Sequence, residues 1–216
     1  MAHPSLLVFG PQSAISLSRE TLAEVRTVLL HDTRLSVLVR AIRDLPEIWN
    51  LLVSSDSDLN RIPGLDSIHK LSRWIDKGEL TWSPETLLNI LFTPLTVIIQ
   101  LVQYFQYLGK GKTQRNHSSI LASTNEGGVQ GFCTGFLTAS VVACSKNETE
   151  LSDLGAVAIR LAVCIGAYVD LDGSISKPLH ETTCLAVRWK TDVGSKDKAL
   201  NTLKDYPDVG CYCSSS

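Results

Sequence analysis

The segment Gly127-Gly-Val-Gln-Gly131-Phe-Cys133-Thr-Gly135-Phe-Leu137 sets a cysteine between two glycines at the spacing Gly-x-Cys-x-Gly, with an apolar stretch behind it. A strand that turns directly into a helix passes through a cramped backbone conformation. The residue at that turn projects above the sheet only where its neighbours are small. Gly131 and Gly135 supply the clearance, and a helix over Thr134 to Cys144 would put Cys133 at its N-terminus. Unpaired N–H groups and the helix dipole there favour a thiolate and an oxyanion. The chemistry this suits is nucleophilic acyl transfer. The same residues also suit a plain packing role, because free cysteine is among the most buried residue types. The pentapeptide alone does not separate the two.

Few other residues compete for a chemical role. The chain has 216 residues, a formal net charge of −2 and 44% apolar residues, so it can bury a sizeable core. It has no basic run long enough to neutralise a phosphate backbone, which speaks against nucleic acid. The N-terminus has no basic n-region, and its apolar run, Leu6 to Phe9, is too short for a signal peptide. A cytoplasmic location is predicted, in which the six cysteines stay thiols. Cys211-Tyr-Cys213 lacks the gap and the second ligand pair of a zinc site, so no metal is expected.

Elements able to position Cys133 can be read on both sides of it. Leu6 to Phe9 reads as a short buried strand ended by Gly10-Pro11, and Val129 to Phe132 as a second. Leu22, Val25, Val28 and Leu29 mark an amphipathic helix, and a similar one is predicted at Leu35 to Leu45. Short helices joined by loops fit Pro46 to Leu80. The apolar run Leu87 to Phe105 is long enough to raise the membrane question. Asn89, Pro94, Gln100 and Gln103 interrupt it, and it is apolar on two sides, which suits a core helix starting at Pro94 with Thr93 as its cap. Gly109 to Gly128 is polar and is expected at the surface. Phe136 to Cys144 and Leu154 to Val169 read as helices separated by the charged turn Ser145 to Leu151.

Four stretches carry a resemblance: "LLVFGPQSA" at 6–14, "LTVIIQLVQYFQYL" at 95–108, "GGVQGFCTGFLTASVVACS" at 127–145 and "LGAVAIRLAVCIGAYVD" at 154–170. Together they resemble the starter-unit acyl-carrier-protein transacylase domain of fungal non-reducing polyketide synthases, over about Leu6 to Val209. The resemblance implies an α/β fold like that of the malonyl transacylases. A hydrolase-like large subdomain with a parallel sheet would span 1–175, part of a ferredoxin-like small subdomain 176–210, and a polar tail 211–216. It implies that Cys133 takes an acyl group from acyl-coenzyme A as a thioester and hands it to an acyl carrier protein, without a cofactor. It assigns the oxyanion hole to the backbone N–H groups of Gln12 and Thr134. Gln12 follows Pro11 where many relatives carry an aspartate. Acyl binding falls to Phe132, beside the nucleophile, and to Ile165, which matches the position of an arginine that pairs with the substrate carboxylate in malonyl-loading relatives. An apolar residue there implies an uncharged acyl group. Arg160, nearly two turns earlier, reads as a surface or capping charge.

The resemblance also supplies a histidine base from a segment after the small subdomain, and the chain is expected to stop short of it. The pattern after Asp170 yields one strand, Thr182 to Lys190, one helix, Lys196 to Leu203, and then the tail. The five histidines offer no clear substitute. His180 precedes the small-subdomain strand, His117 falls in the predicted surface loop, His31 and His69 lie in charged stretches, and His3 is terminal. Two readings follow: a starter-unit acyltransferase impaired by truncation, or a non-catalytic acyl-binding or docking remnant of a broken synthase.

Overall fold

The computed structural model describes residues 6–11, 17–79, 87–109, 116–124 and 127–175, with Gly194 and Asn201 beyond them. The chain divides into two compact units, Met1–Lys177 and Pro178–Ser216. In the second unit Gly194 sits in a turn at φ +97° and Asn201 is helical. The expected strand at 182–190, the rest of the expected helix at 196–203 and the tail with Cys211 and Cys213 lie outside the described residues.

The first unit is mostly helical, with a small parallel sheet. β1 (Leu7–Phe9) is followed by α1 (Arg19–His31), whose N-terminus is capped by the Ser18 side chain accepting from the Thr21 N–H. Leu22, Val25 and Leu29 turn its apolar stripe inward, as their spacing predicts. The helix predicted at 35–45 is divided. A 3₁₀ turn (Thr33–Leu35) leads into α2 (Ser36–Arg43), and after Asp44 the chain re-enters as α3 (Leu45–Ser55) with Pro46 in its first turn. Proline is accepted there because its missing N–H would have no helical partner. A second 3₁₀ turn (Ser57–Arg61) and α4 (Gly64–Lys77) follow. α4 stops at Gly78, which takes the left-handed conformation at φ +76° and donates its N–H to Trp74.

α5 (Asn89–Gly109) is the central helix, and fourteen of its residues, from Ile90 to Leu108, are buried. By length and composition it and the last helix of the unit could each cross a bilayer; α5 instead fills the core, as its two apolar sides predict. Its start corrects the sequence reading. Pro94 lies inside the helix, and Thr93 is not its cap. The first N–H groups are satisfied from a distance: Asp170 accepts from the Asn89 and Ile90 backbone at 3.0 and 2.8 Å, and from the Asn89 side chain at 2.9 Å. A carboxylate brought by another helix thereby does the work of a local cap.

The stretch expected to run at the surface contains α6 (His117–Ser123), with buried His117 and Ile120. β2 (Val129–Gly131) then pairs in parallel with β1, Leu7 opposite Val129 and Phe9 opposite Gly131. α7 (Gly135–Cys144) and α8 (Glu148–Ile175) complete the unit, so the turn between them is shorter than the sequence suggests. α8 lies along α5, and Gly166 makes the approach possible, since a Cβ there would meet the Asn89 carbonyl oxygen at 2.2 Å. Its other face leaves Val157, Leu161, Ile165, Tyr168 and Val169 exposed.

Candidate functional site

β2 ends at Gly131 and α7 begins at Gly135, so three residues reverse the chain from strand to helix. Cys133 is the tightest point, with φ +53°, and among the described residues it alone has positive φ without being glycine. That conformation costs about 1 kcal/mol or more for a residue with a Cβ. It persists because both neighbours are clamped. A Cβ on Gly131 would meet the Gly135 carbonyl oxygen at 2.4 Å, and one on Gly135 would meet the Gly10 and Phe9 carbonyl oxygens at 2.4 Å. The glycines let strand, turn and helix fold onto the end of β1. Hydrogen bonds hold the turn: Phe132 N–H to Phe9 at 2.9 Å, Gly135 N–H to Phe132 at 2.9 Å, and Phe136 N–H to Cys133 at 3.0 Å.

The turn presents its thiol to solvent. Cys133 is exposed, with Sγ 3.8 Å from the hydroxyl of Thr134, which is itself buried and directly precedes α7. Phe132 and Phe136 stand exposed on either side of Cys133 in sequence. They border a groove of about 460 Å³ lined by Val129, Ala139, Ser140, Ala143 and Cys144. On the β1 side, the Gly10 carbonyl is held by the Gln100 side-chain amide at 2.8 Å, and the Phe9 ring packs edge-on against Tyr104. The end of β1 is therefore tied to α5. Sequence reasoning treated Gln100 only as one of several interruptions of an apolar run, and nothing in the sequence set it apart from Gln103 as the amide that holds Gly10.

Of the predicted site residues, the structure brings Phe132, Cys133 and Thr134 together at the turn. Gln12 lies outside the described residues. Ile165 sits on the exposed face of α8 and does not line the groove beside Phe132. Arg160 reaches Asp44, between α2 and α3, at 3.8 Å, in keeping with a surface charge.

The histidines need one correction. His117 is buried, not in a surface loop. Its Nδ1 is 2.9 Å from the Tyr104 hydroxyl, and its Nε2 is 3.0 Å from both the carbonyl and the hydroxyl oxygen of Ser145. His31 and His69 are exposed on α1 and α4, as predicted, and His3 and His180 lie outside the described residues. Among the described residues no histidine is hydrogen-bonded to Cys133. The remaining described thiols differ from one another. Cys144, the last residue of α7, is exposed, whereas Cys164 is half-buried and burial raises the pKa of its thiol. No group of three or more potential metal-ligating side chains occurs among the described residues.

A parallel strand pair leading into a strained, exposed cysteine at a strand-to-helix turn, with helices packed around it, makes this a mostly helical α/β protein. The profile of the family described as "Starter unit:ACP transacylase in aflatoxin biosynthesis" matches residues 8–206, and the chain belongs to this family. It is 43% identical, over 98% of its length, to the 5-methylorsellinic acid synthase of Aspergillus terreus. It is 40% identical over 95% to the non-reducing polyketide synthase spyA of Aspergillus fumigatus, and 36% identical over 97% to the methylphloroacetophenone synthase of Cladonia uncialis. It spans only 8%, 11% and 8% of those proteins. The family's activity is starter-unit acyl transfer in polyketide biosynthesis.

Proposed function

We propose that the chain moves an uncharged acyl group from coenzyme A, through a thioester on Cys133, to the phosphopantetheine thiol of an acyl carrier protein, in the cytoplasm and without a cofactor. The observation that carries this reading is the strained Cys133 backbone, held between two glycines that leave no room for a Cβ, with its thiol exposed. A packing cysteine gains nothing from such a conformation; a nucleophile gains access from it. The malonyl-transacylase-like architecture, with a large subdomain over 1–175, a ferredoxin-like piece over 176–210 and a tail over 211–216, belongs to the same proposal.

In the first half-reaction the Cys133 thiolate attacks the thioester carbonyl carbon. The carbonyl electrons move onto oxygen, where the Thr134 and Gln12 N–H groups would stabilise the charge, and collapse expels the coenzyme A thiolate. Phe132 would flank the acyl chain, and Ile165 offers no charge for a substrate carboxylate. In the second half the carrier thiol must lose its proton before it attacks the Cys133 thioester. General-base help at such a step is typically worth about 10²–10⁴ in rate. Among the described residues no histidine is hydrogen-bonded to Cys133, and His117 is held by Tyr104 and Ser145, so transfer to the carrier thiol would be the slower half.

The test is incubation with acetyl- and hexanoyl-coenzyme A, mapping of the acylated peptide by mass spectrometry, and then addition of carrier protein. Acyl transfer onto Cys133, lost in Cys133→Ala, is expected, with carrier loading slower than acylation. Absence of acyl on Cys133 with either donor would refute the acyltransferase reading and leave a non-catalytic acyl-binding or docking module. Loading as fast as acylation would refute that ordering of the two halves.

A further inference from the structure

Thr134 enters the acyl-transfer reading through its backbone N–H, a role that any residue but proline could fill. Its side chain is therefore unexplained by that role. It stands immediately before α7 with a helical backbone, φ −56° and ψ −30°, and its side chain makes no capping hydrogen bond to the helix. A threonine that caps a helix instead takes an extended backbone and accepts from the N–H two or three residues on. Helix propensity does not account for it either, since threonine is among the poorer helix formers.

The structure sets this hydroxyl beside the nucleophile. Its oxygen lies 3.8 Å from Cys133 Sγ, and among the described residues no other side chain is hydrogen-bonded to that sulfur. Two constraints keep the pair together. Cys133 is fixed at φ +53° by the close-packed glycines two residues away on either side. Thr134 is 9% exposed and branched at Cβ, which leaves its hydroxyl few rotamers. β1 and β2 carry no ionisable side chain, and on α7 the only one is Cys144 at its far end. The elements that form the elbow thus bring the sulfur a hydroxyl and no charged partner.

We propose that the Thr134 side chain positions the nucleophile: its hydroxyl donates to Cys133 Sγ and holds the sulfur in one orientation through both halves of the transfer. The proposal rests on Cys133 as the acyl acceptor and gives Thr134 a second role beside its N–H. A hydrogen bond to a charged acceptor is shorter and stronger than one to a neutral group, so the contact tightens in the thiolate. In the first half the sulfur bonds to the carbonyl carbon, the carbonyl electron pair moves to oxygen, and its return breaks the bond to the coenzyme A sulfur. In the second half Cys133 Sγ is itself the leaving group, and the hydroxyl donates to it as the negative charge returns. Thr134 keeps its proton throughout.

The experiment compares Thr134→Val and Thr134→Ser in the 216-residue chain. Valine keeps the shape and the N–H and removes the hydroxyl, whereas serine keeps the hydroxyl and removes the methyl. Three quantities are read: the rate of Cys133 acylation against hexanoyl-coenzyme A concentration, the rate of alkylation by iodoacetamide at Cys133 relative to exposed Cys144, and Tm. Thr134→Val is expected to lower the maximal acylation rate and the Cys133-to-Cys144 alkylation ratio about tenfold, the loss of one hydrogen bond to a charged group. The half-saturating donor concentration and Tm should stay close to those of the parent. Thr134→Ser should recover most of both rates. The proposal is overturned if Thr134→Val reacts like the parent, if Thr134→Ser loses as much as Thr134→Val, or if the loss falls equally on Cys144. Should Thr134→Val not fold, Thr134→Ala takes its place and must show the same contrast with Thr134→Ser. A parent that accepts no acyl group refutes the transfer reading, and the alkylation ratio, which needs no acyl donor, then decides the Thr134 contact by itself.

Discussion

Adding one methyl group at Gly135 tests whether the elbow is held by close backbone approach. A Cβ there would lie 2.4 Å from the Gly10 and Phe9 carbonyl oxygens and 2.7 Å from the Phe9 carbonyl carbon. Ordinary contact is about 1 Å longer, so α7 must move off β1. Neither obstacle yields easily, because Phe9 O is bonded to Phe132 and Gly10 O to Gln100. Overpacking of this kind costs about 1–3 kcal/mol, and alanine's better helix propensity returns less than about 1. Gly135→Ala should therefore lose about 2 kcal/mol, roughly 4–8 °C in Tm for a chain of this size. Acylation of Cys133 by hexanoyl-coenzyme A should fall at least tenfold, because the thiol moves with the helix. The control is Gly10→Ala, where a Cβ meets nothing within 4 Å and stability should change by under about 0.5 kcal/mol. Thermal melts and mass spectrometry read both. A Gly135→Ala protein as stable and as reactive as the parent, or two variants that lose equally, would refute the close-approach argument.

Further tests address the scaffold. Asp170→Ala leaves the first N–H groups of α5 without their carboxylate and should cost about 2 kcal/mol in urea unfolding, with Asp170→Asn recovering part of it. Arg34 binds Asp32 and Glu148 and stacks over Phe105, and its hydrogen bonds hold the Asp32 carboxyl below its ordinary value of 3.8. A lowered carboxylate stabilises the fold above its unfolded pKa and loses that contribution as pH falls through the folded one. The stability gap between the parent and Arg34→Met, about 1 kcal/mol for this half-exposed group, should be constant above about pH 5 and shrink below pH 4. His117→Ala strands the Tyr104 hydroxyl and should cost about 2–4 kcal/mol while leaving no pH-dependent loss of Cys133 acylation beyond that of the parent. A catalytic His117 would instead abolish acylation without a matching fall in Tm.

The elbow was legible because its residues are local. Two glycines, a cysteine and the apolar runs on either side carry their constraint within a dozen positions, and the structure places the strand, turn and helix where that pattern puts them. The division at Asp44 was less visible, since apolar periodicity runs through it and Pro46 is the only local mark. The start of α5 could not be read from nearby residues at all. Thr93-Pro94 has the form of a cap followed by a first helical residue, yet Asp170 satisfies the helix five residues earlier from about eighty positions away. Local rules describe the cheapest local solution, and tertiary contacts replaced it.

His117 shows the same principle and bears directly on function. In sequence it is the histidine nearest to Cys133, in a polar stretch that reads as surface. In the fold its ring joins Tyr104 on α5 to Ser145 at the end of α7. The segment from His117 to Ser145 contains α6, β2, the elbow and all of α7. One imidazole therefore closes the loop that carries Cys133 and fastens both of its ends to the helix that also holds Gly10 through Gln100. The strain at Cys133 can persist because the segment containing it is fixed at its start, its middle and its end. A histidine used in this way has both ring nitrogens occupied, so its part is to hold the turn in place.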